Sequence, residues 1–290
     1  AGRQHRILTG LPSLATADGS DIAGPQDVWL GRRGELLLAV GLGNTADRRS
    51  QLGAAASRLG TIQRFVPGKG LTTIVDVAQY ELGANPDGSS TPDGRDSNPY
   101  SVAADGSGFL VSDAGGNTVY RVGRNGSIRP LVVLPVRSVP APTFLGLPPG
   151  AMTPMQAVPT AALRAPDGSY FVAELTGFPF PVGEARVYRV SAGGSPTIAA
   201  TGFTNIIDIA LDRHGRLYVL ELTTEGLLSG ATTGQITRVD LRSGTRTVLQ
   251  TPPLDSPTSL AIASDGHTLY VTNHGRSVGA GEILRMRLTS

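Results

Sequence analysis

One short pattern recurs five times along the chain and limits the folds it can adopt. Each copy is an apolar strand, a tight turn built on glycine and a second apolar strand. The copies are "QDVWLGRRGELLLAV" (26–40), "YSVAADGSGFLVSD" (100–113), "TAALRAPDGSYFVAE" (160–174), "IDIALDRHGRLYVLE" (207–221) and "TSLAIASDGHTLYVTN" (258–273). Asp-Gly and its analogues supply the positive φ that such hairpin turns require. The sequence therefore predicts five β-hairpins.

A third strand of constant form follows each hairpin: "GTIQRF", "NTVYRV", "ARVYRV", "GQITRV" and "GEILRM". A fourth strand follows in four copies, and the segment "HRILTGL" (5–11) is expected to supply the missing one. Four-stranded units completed by an N-terminal strand are typical of a closed β-propeller, in which few strand edges stay open. The third strands carry equivalent arginines, which we interpret as scaffold residues: Arg64, Arg121, Arg189, Arg238 and Arg285.

The predicted fold is all-β: a single-domain five-bladed β-propeller over residues 1–290. The blades are expected at about 25–77, 98–134, 158–202, 204–251 and 256–288, with the closing strand at 5–11. Six blades are the alternative, because the connections at 78–98 and 135–157 are long. Neither connection contains a hairpin of the repeated type.

Charge and composition exclude several classes of function. Lys+Arg 25 against Asp+Glu 23 leaves a net charge of +2, which does not indicate a nucleic-acid partner. The absence of cysteine excludes disulfides and thiolate metal sites. No apolar run approaches the roughly 18 residues of a membrane span, and no motif for a nucleotide or organic cofactor is present. The start "AGRQHR" lacks the apolar region of a signal peptide, so either the chain is cytoplasmic or a leader has been removed.

The long connections all fall on one face of the predicted propeller. Turns between first and second strands, and between third and fourth strands, are short, whereas the insertions lie at 41–60, 78–98, 135–157, 175–185, 222–234 and 274–281. Loops held by a rigid scaffold commonly carry function. We call this the loop-rich face and expect the site there.

Polar residues end four of the five second strands, where they are expected to surround the channel mouth. They form the predicted metal site: Asp113, Glu174, Glu221 and Asn273. Oxygen ligands suit Ca²⁺, and a cation would relieve repulsion among clustered carboxylates. Alternatively, these side chains cap strand ends or pair with loop arginines such as Arg186.

The starts of the first strands contribute a second set of candidates, expected to bind a ligand: Gln26, Asp27, Asn98, Tyr100, Asn205 and Asp208. In a catalytic interpretation Glu174 or Glu221 binds the metal or acts as a base, and His274 transfers protons. The alternative for His274 is an ordinary loop residue.

The segments "ELGANPDG" (81–88), "DSNPYSVAADG" (96–106) and "VSDAGGNTVYRV" (111–122) resemble the ScyD/ScyE family of propeller proteins, named for scytonemin biosynthesis. The resemblance extends over essentially the whole chain. Its motif positions include Glu81, Asn85, Asp87 and Asp96, and Asp96 joins the ligand-binding candidates. The family implies an extracytoplasmic bacterial protein made with a leader, but no settled reaction.

Two classes of function remain open. The first is an enzyme acting on a small molecule: a metal-assisted hydrolase, a lactonase-like enzyme or a natural-product biosynthetic enzyme. The second is a non-catalytic propeller that binds a small ligand or peptide, or serves as an interaction scaffold. The apolar stretches "PTFLGLPPGAM" (142–152) and "GFPFPVG" (177–183) either form the wall of a ligand pocket or pack as loop cores.

Overall fold

The repeated hairpins fold as the first two strands of five antiparallel sheets arranged in a ring, a five-bladed β-propeller. The structure is a computed structural model that describes residues 5–14, 16, 22–31, 33–88, 92–191 and 193–288. The predicted fold class and the number of blades are confirmed.

Blades one and two are complete four-stranded sheets. Blade one contains β1 (Pro25–Leu30), β2 (Leu36–Val40), β3 (Thr61–Val66) and β4 (Gly70–Asp76). Two helices follow strands of this blade, α1 (Ala46–Arg49) after β2 and α2 (Val77–Ala84) after β4. Blade two contains β5 (Pro99–Asp105), β6 (Gly108–Asp113), β7 (Thr118–Val122) and β8 (Ile128–Val133).

The remaining blades follow a separate two-stranded hairpin. That hairpin pairs β9 (Arg137–Pro140) with β10 (Met152–Met155). Blade three contains β11 (Pro159–Arg164), β12 (Tyr170–Glu174), β13 (Ala185–Val190) and β14 (Thr197–Phe203). Blade four contains β15 (Ile206–Leu211), β16 (Arg216–Glu221), β17 (Gln235–Asp240) and β18 (Arg246–Val248). Blade five contains β19 (Ser259–Ile262), β20 (Thr268–Asn273) and β21 (Glu282–Arg287).

The two long connections do not form a sixth blade. The connection after β4 contains α2, whose first turn is capped by the Asp76 carboxylate accepting from Gln79 N at 3.0 Å. The connection after β8 contains the β9–β10 hairpin. Within the described ranges, no helix is long and apolar enough to cross a membrane.

In blades one to four both faces of the second strand are buried, whereas Tyr270 in the second strand of blade five is 39% exposed. In β2, Leu37 and Ala39 join the apolar cluster shared with blade two, whereas Leu38 and Val40 point to the opposite face. Successive side chains of a strand point to opposite faces, so near-continuous apolar runs are expected where both faces are covered. Similar clusters join blades two and three, three and four, and four and five.

The face opposite the loop-rich face carries the short turns, and we call it the turn face. Two of the five equivalent arginines make contacts there, as predicted for scaffold residues. Arg121 Nε lies 2.6 Å from Asp105 Oδ2, and its guanidinium lies 5.9 Å from the ring centroid of Tyr170 in the next blade. Arg189 forms an ion pair with Asp167. The Arg121–Tyr170 contact joins blades two and three, whereas the Arg189–Asp167 pair lies within blade three.

The N-terminal segment does not complete blade five, contrary to the prediction for residues 5–11. That segment has no strand structure, and the described part of blade five has three strands. Leu8 and Leu11 pack against the blade-one cluster that contains Leu38 and Val40. Their three-residue spacing does not match the two-residue period of a strand, and Gly10 has a φ of 77°, which interrupts extended backbone.

Candidate functional site

A cavity of about 500 Å³ lies on the loop-rich face and receives residues from all five blades. Ligand-binding cavities commonly have volumes between about 300 and 1,000 Å³. The lining residues are Ile22, Pro25, Gln26, Asn98, Tyr100, Leu175, Phe180, Ile207, Leu222, Leu227, Leu228, Thr258, Gly275 and Arg276. Because contributions from five blades meet only around the propeller axis, this cavity is the mouth of the central channel. We call it the central cavity.

Three of the predicted ligand-binding residues line the central cavity: Gln26, Asn98 and Tyr100. Gln26 Nε2 donates to Ile22 O at 3.0 Å, which fixes one end of its amide. Asn98 Oδ1 is buried and has no hydrogen-bond partner among the described residues. A Cβ on Gly41 would lie 2.2 Å from Asn98 Oδ1, so glycine is required for this packing.

Asp27, Tyr100 and Asp208 form a titratable group on the inner strands. Burial raises the pKa of Asp208 to about 7, and the nearby Asp27 carboxylate raises it further. Burial also raises the pKa of Asp27, and burial with both carboxylates raises the pKa of Tyr100. These residues come from blades one, two and four, so their mutual influence places them together in the channel, next to the cavity wall formed by Tyr100.

Asp27 and Asp208 also have a structural role, because each bonds the next blade. Asp27 Oδ2 accepts from Val102 N at 2.9 Å. Asp208 Oδ2 accepts from Leu260 N at 2.8 Å and from Ser259 Oγ at 2.7 Å. Hydrogen bonds from backbone N–H groups favour the carboxylate form, but burial outweighs them in both pKa shifts.

The predicted metal ligands Asp113, Glu221 and Asn273 are each bonded within their own blade. A side-chain oxygen of each accepts a backbone N–H from the segment that precedes the first strand. The donors are Asn98 N at 2.6 Å from Asp113 Oδ1, Thr204 N at 2.6 Å from Glu221 Oε1 and Asp255 N at 2.8 Å from Asn273 Oδ1. Equivalent positions in the repeat therefore perform the same strand-capping role.

Glu174, the fourth predicted ligand, is buried in an ion pair. Arg137 Nη2 lies 2.9 Å from Glu174 Oε1, and Tyr188 Oη donates to Glu174 Oε2 at 3.2 Å. The same guanidinium contacts Glu184 Oε2 at 3.0 Å. Because Arg137 begins β9, this network fastens the β9–β10 hairpin to blade three.

The four predicted ligands therefore do not fit one shared metal site. Among the residues that the structure describes, no three His, Asp or Glu side chains are placed to hold a metal ion. The alternative given by the sequence, that these side chains cap strand ends or pair with arginine, agrees with their hydrogen bonds. Burial raises the pKa of Asp113 and of Glu221 to about 6.

The predicted catalytic residues Glu174, Glu221 and His274 do not line the central cavity. His274 Nδ1 lies 3.4 Å from Asp255 Oδ2, and its Nε2 lies 3.4 Å from Glu282 Oε1. These contacts hold the loop that follows β20. The neighbouring residues Gly275 and Arg276, rather than His274, line the cavity.

Two further ligand-binding candidates also lie away from the cavity lining. Asn205 is buried and donates through Nδ2 to Leu175 O at 3.2 Å. Asp96 lies near Glu81, whose pKa it helps to raise. The arrangement brings together Gln26, Asn98 and Tyr100 at the cavity and Asp27 and Asp208 beside it, but not Asn205 or Asp96.

Glu81 is the centre of a second buried group, outside the channel. Its side chain is fully buried in the second turn of α2 and accepts a hydrogen bond from Tyr120 Oη. Burial raises the pKa of Glu81 to about 7, and the charges of Asp113, Asp87 and Asp96 raise it further. This group attaches α2 to blade two. The family resemblance named Glu81, but periodicity alone gave no sign of its burial.

Sequence reasoning missed most of the apolar cavity wall and its cation. Leu222, Leu227 and Leu228 follow β16, and Arg276 follows β20. Apolar residues in the 222–234 insertion were the available signal. Two apolar stretches were expected to form either a pocket wall or loop cores. Of these, "GFPFPVG" contributes Phe180 to the cavity lining, and 142–152 contributes no residue.

Comparison with known proteins identifies the fold. No protein-family model matches the sequence, and a search of curated proteins finds no match. A chain of a nidogen/laminin complex has a TM-score of 0.56 at 14% identity, covering 92% of this chain and 76% of that one. Virginiamycin B lyase from Staphylococcus aureus has a TM-score of 0.50 at 14% identity, covering 97% and 74%. A streptogramin B lyase has a TM-score of 0.51 at 13% identity, covering 97% and 73%. At these identities the likeness is one of fold.

Proposed function

We propose that this propeller binds a small molecule in the central cavity. The observation that carries the proposal is the convergence of side chains from all five blades on one cavity of about 500 Å³. The wall is largely apolar, with a few polar groups that can orient a ligand, which is the usual composition of a small-molecule site. Those polar groups are the side chains of Gln26, Asn98, Tyr100, Thr258 and Arg276.

Catalysis on the bound molecule is the second candidate function. Asp208 favours it, because a carboxyl with a pKa near 7 can give or take a proton at neutral pH. Structural neighbours named as lyases support an enzymatic role, and the nidogen/laminin neighbour supports a binding role. In the catalytic version the acid–base groups are Tyr100, which lines the cavity, and Asp27 and Asp208 beside it, and the reaction is hydrolytic or biosynthetic.

Ligand-detected NMR with a panel of small molecules tests the binding proposal. The variant Leu228→Trp narrows the cavity at a half-exposed position, so the fold is retained. Val248→Trp is the matched control, because Val248 is equally exposed on the outer strand of blade four. We expect panel members that bind the wild type and the control but not Leu228→Trp. The proposal is overturned if no panel member binds the wild type, or if those that bind it bind Leu228→Trp equally well.

Three further proposals do not depend on the central cavity: membership of a family, a location outside the cytoplasm and the binding of calcium. The motif resemblance supports membership of the ScyD/ScyE family and a location outside the cytoplasm, which fractionation of the source cells tests. Calcium remains a proposal that rests on the oxygen ligands predicted from the sequence, although the structure uses Asp113, Glu174, Glu221 and Asn273 for hydrogen bonds and an ion pair. Elemental analysis of protein purified without chelator tests it: one calcium per chain supports the ion, and none after calcium addition excludes it.

A further inference from the structure

We infer that the ligand of the central cavity is an amphiphile whose anionic end lies toward Arg276 and whose apolar end lies against blades three and four. The inference rests on the proposed function and names the substrate class. Its basis is the uneven distribution of side chains around the ring. One arc of the cavity wall is apolar, and the arc opposite it carries the polar groups.

The apolar arc is continuous. Blade three contributes Leu175 and Phe180, and blade four contributes Ile207, Leu222, Leu227 and Leu228. Among their described residues, these neighbouring blades supply no polar side chain to the lining. A hydrocarbon or aromatic group placed here leaves water without losing hydrogen bonds, which favours binding by about 25 cal/mol per Å² of buried apolar surface.

The polar arc comes from blades five, one and two, which are also consecutive in the ring. Its side chains are Thr258, Arg276, Gln26, Asn98 and Tyr100, with Ile22 and Pro25 beside Gln26. These hydroxyl, amide and guanidinium groups can hydrogen-bond the polar end of a ligand. Because each arc consists of consecutive blades, the apolar and polar arcs lie on opposite sides of the ring.

Arg276 determines the charge of the polar end. It is exposed at the cavity, and the described part of the chain places no carboxylate in an ion pair with it. A guanidinium binds carboxylate, phosphate or sulfate groups through paired hydrogen bonds. Asp27 and Asp208 lie deeper, near Tyr100, and would repel an anion there. The anionic group therefore lies at the rim, beside Arg276.

The apolar arc extends out of the cavity along the loop-rich face. The ring of Phe180 lies 6.3 Å from Phe178, and that of Phe178 lies 6.2 Å from Phe144. Phe178 and Phe144 are 45% and 64% exposed. No charged residue occurs between Arg137 and Arg164. An apolar tail longer than the cavity therefore has an uncharged surface to follow.

Calorimetric titration with three probes tests the inference. Decanoate has the expected tail and anionic head, decyltrimethylammonium has the same tail with a cationic head, and butyrate has the head without the tail. All are used below the concentrations at which they form micelles. We expect decanoate to bind, decyltrimethylammonium to bind at least about tenfold more weakly, and butyrate to bind more than about 100-fold more weakly because six methylene groups are missing.

Paired variants assign each end of the probe to an arc. Arg276→Gln is expected to weaken decanoate binding about tenfold and to leave 1-decanol binding unchanged. Leu228→Ser is expected to weaken decanoate and decanol alike. The controls are Arg287→Gln and Val248→Ser, exposed residues of β21 and β18 that lie outside the lining. Circular dichroism confirms that each variant remains folded.

The possible failures separate the inference from the proposed function. The inference is overturned if decyltrimethylammonium binds as tightly as decanoate. It is also overturned if decanoate binds Arg276→Gln and Leu228→Ser as tightly as it binds the wild type. If decanoate does not bind while panel ligands bind the cavity, the inference is wrong and the proposed function stands. If neither decanoate nor any panel ligand binds there, both are wrong.

Discussion

The carboxylate of Asp27 accepts a hydrogen bond from the backbone N–H of Val102, 2.9 Å away, across the boundary between blades one and two. Asp208 forms the corresponding bond to Leu260 between blades four and five. The acidic residues of the channel therefore hold neighbouring blades together while they set the electrostatics beside the central cavity. Changes at these residues are expected to affect stability as well as binding.

Asp27→Ala is expected to destabilise the fold by about 1–3 kcal/mol, because it leaves the N–H of Val102 without an acceptor. Asp27→Asn keeps an acceptor oxygen and should retain most of the stability. Urea unfolding followed by circular dichroism measures both, with Glu225→Ala, a change at an exposed carboxylate, as control. Equal stability of Asp27→Ala and the control would show that the contact between the blades contributes nothing.

Arg137→Met is expected to cost about 3–5 kcal/mol, because it leaves Glu174 charged and unpaired in a buried position. Proteolysis should then cut the β9–β10 hairpin, which Arg137 fastens to blade three. The double variant Arg137→Met with Glu174→Gln should recover part of the loss. Arg186→Met is the control, since its contact with Glu184 is longer, at 3.6 Å, and more exposed. If the β9–β10 hairpin of Arg137→Met stays resistant to proteolysis, the ion pair with Glu174 does not hold it on blade three.

Glu81 makes stability depend on pH. Its folded-state pKa, about 7, lies above the value of 4.5 for an exposed glutamate, so the folded state binds the extra proton between these values. Its contribution is greatest below about pH 4.5 and is lost as the pH rises through 7. Glu81→Gln should therefore gain about 2 kcal/mol relative to the wild type between pH 5 and pH 8. Chemical unfolding at both pH values measures the gain.

Glu225→Gln is the matched control for that experiment, because its side chain is exposed. The control should not change its difference from the wild type between the two pH values. A constant difference for Glu81→Gln as well would mean that Glu81 is ionised in the folded protein at pH 5.

Gly41→Ala is expected to weaken ligand binding at least about tenfold, because the added Cβ would lie 2.2 Å from Asn98 Oδ1 and displace that side chain. Gly281→Ala is the control, since a Cβ there meets no atom of the described residues within 4 Å. Decanoate titration of both variants measures the effect. Unchanged affinity for Gly41→Ala would mean that the position of Asn98 does not matter for the ligand.

The blades could be predicted from the sequence because their signals are local. Apolar runs broken by glycine turns specify hairpins wherever they occur, and five copies specify the ring. The predicted closing strand was wrong: residues 5–11 have no strand structure, and Leu8 and Leu11 pack on blade one, a tertiary contact that the local pattern does not show. Equivalent positions in the repeat were recognised at Asp113, Glu221 and Asn273.

The direction in which the side chains of Asp113, Glu221 and Asn273 point could not be predicted, because it depends on which backbone N–H groups the neighbouring loops present. The apolar arc of the cavity was equally hidden. Leu222, Leu227 and Leu228 become one wall with Phe180 only when blades three and four pack side by side. Contacts between distant segments are set by tertiary packing, which the local pattern does not encode.

A crystal structure of the protein grown with decanoate would locate both ends of the ligand. We expect density in the central cavity, with the carboxylate beside Arg276 and the chain against Phe180 and Leu228. Decanoate bound at the opposite, turn face of the ring, with the central cavity holding only water, would contradict it.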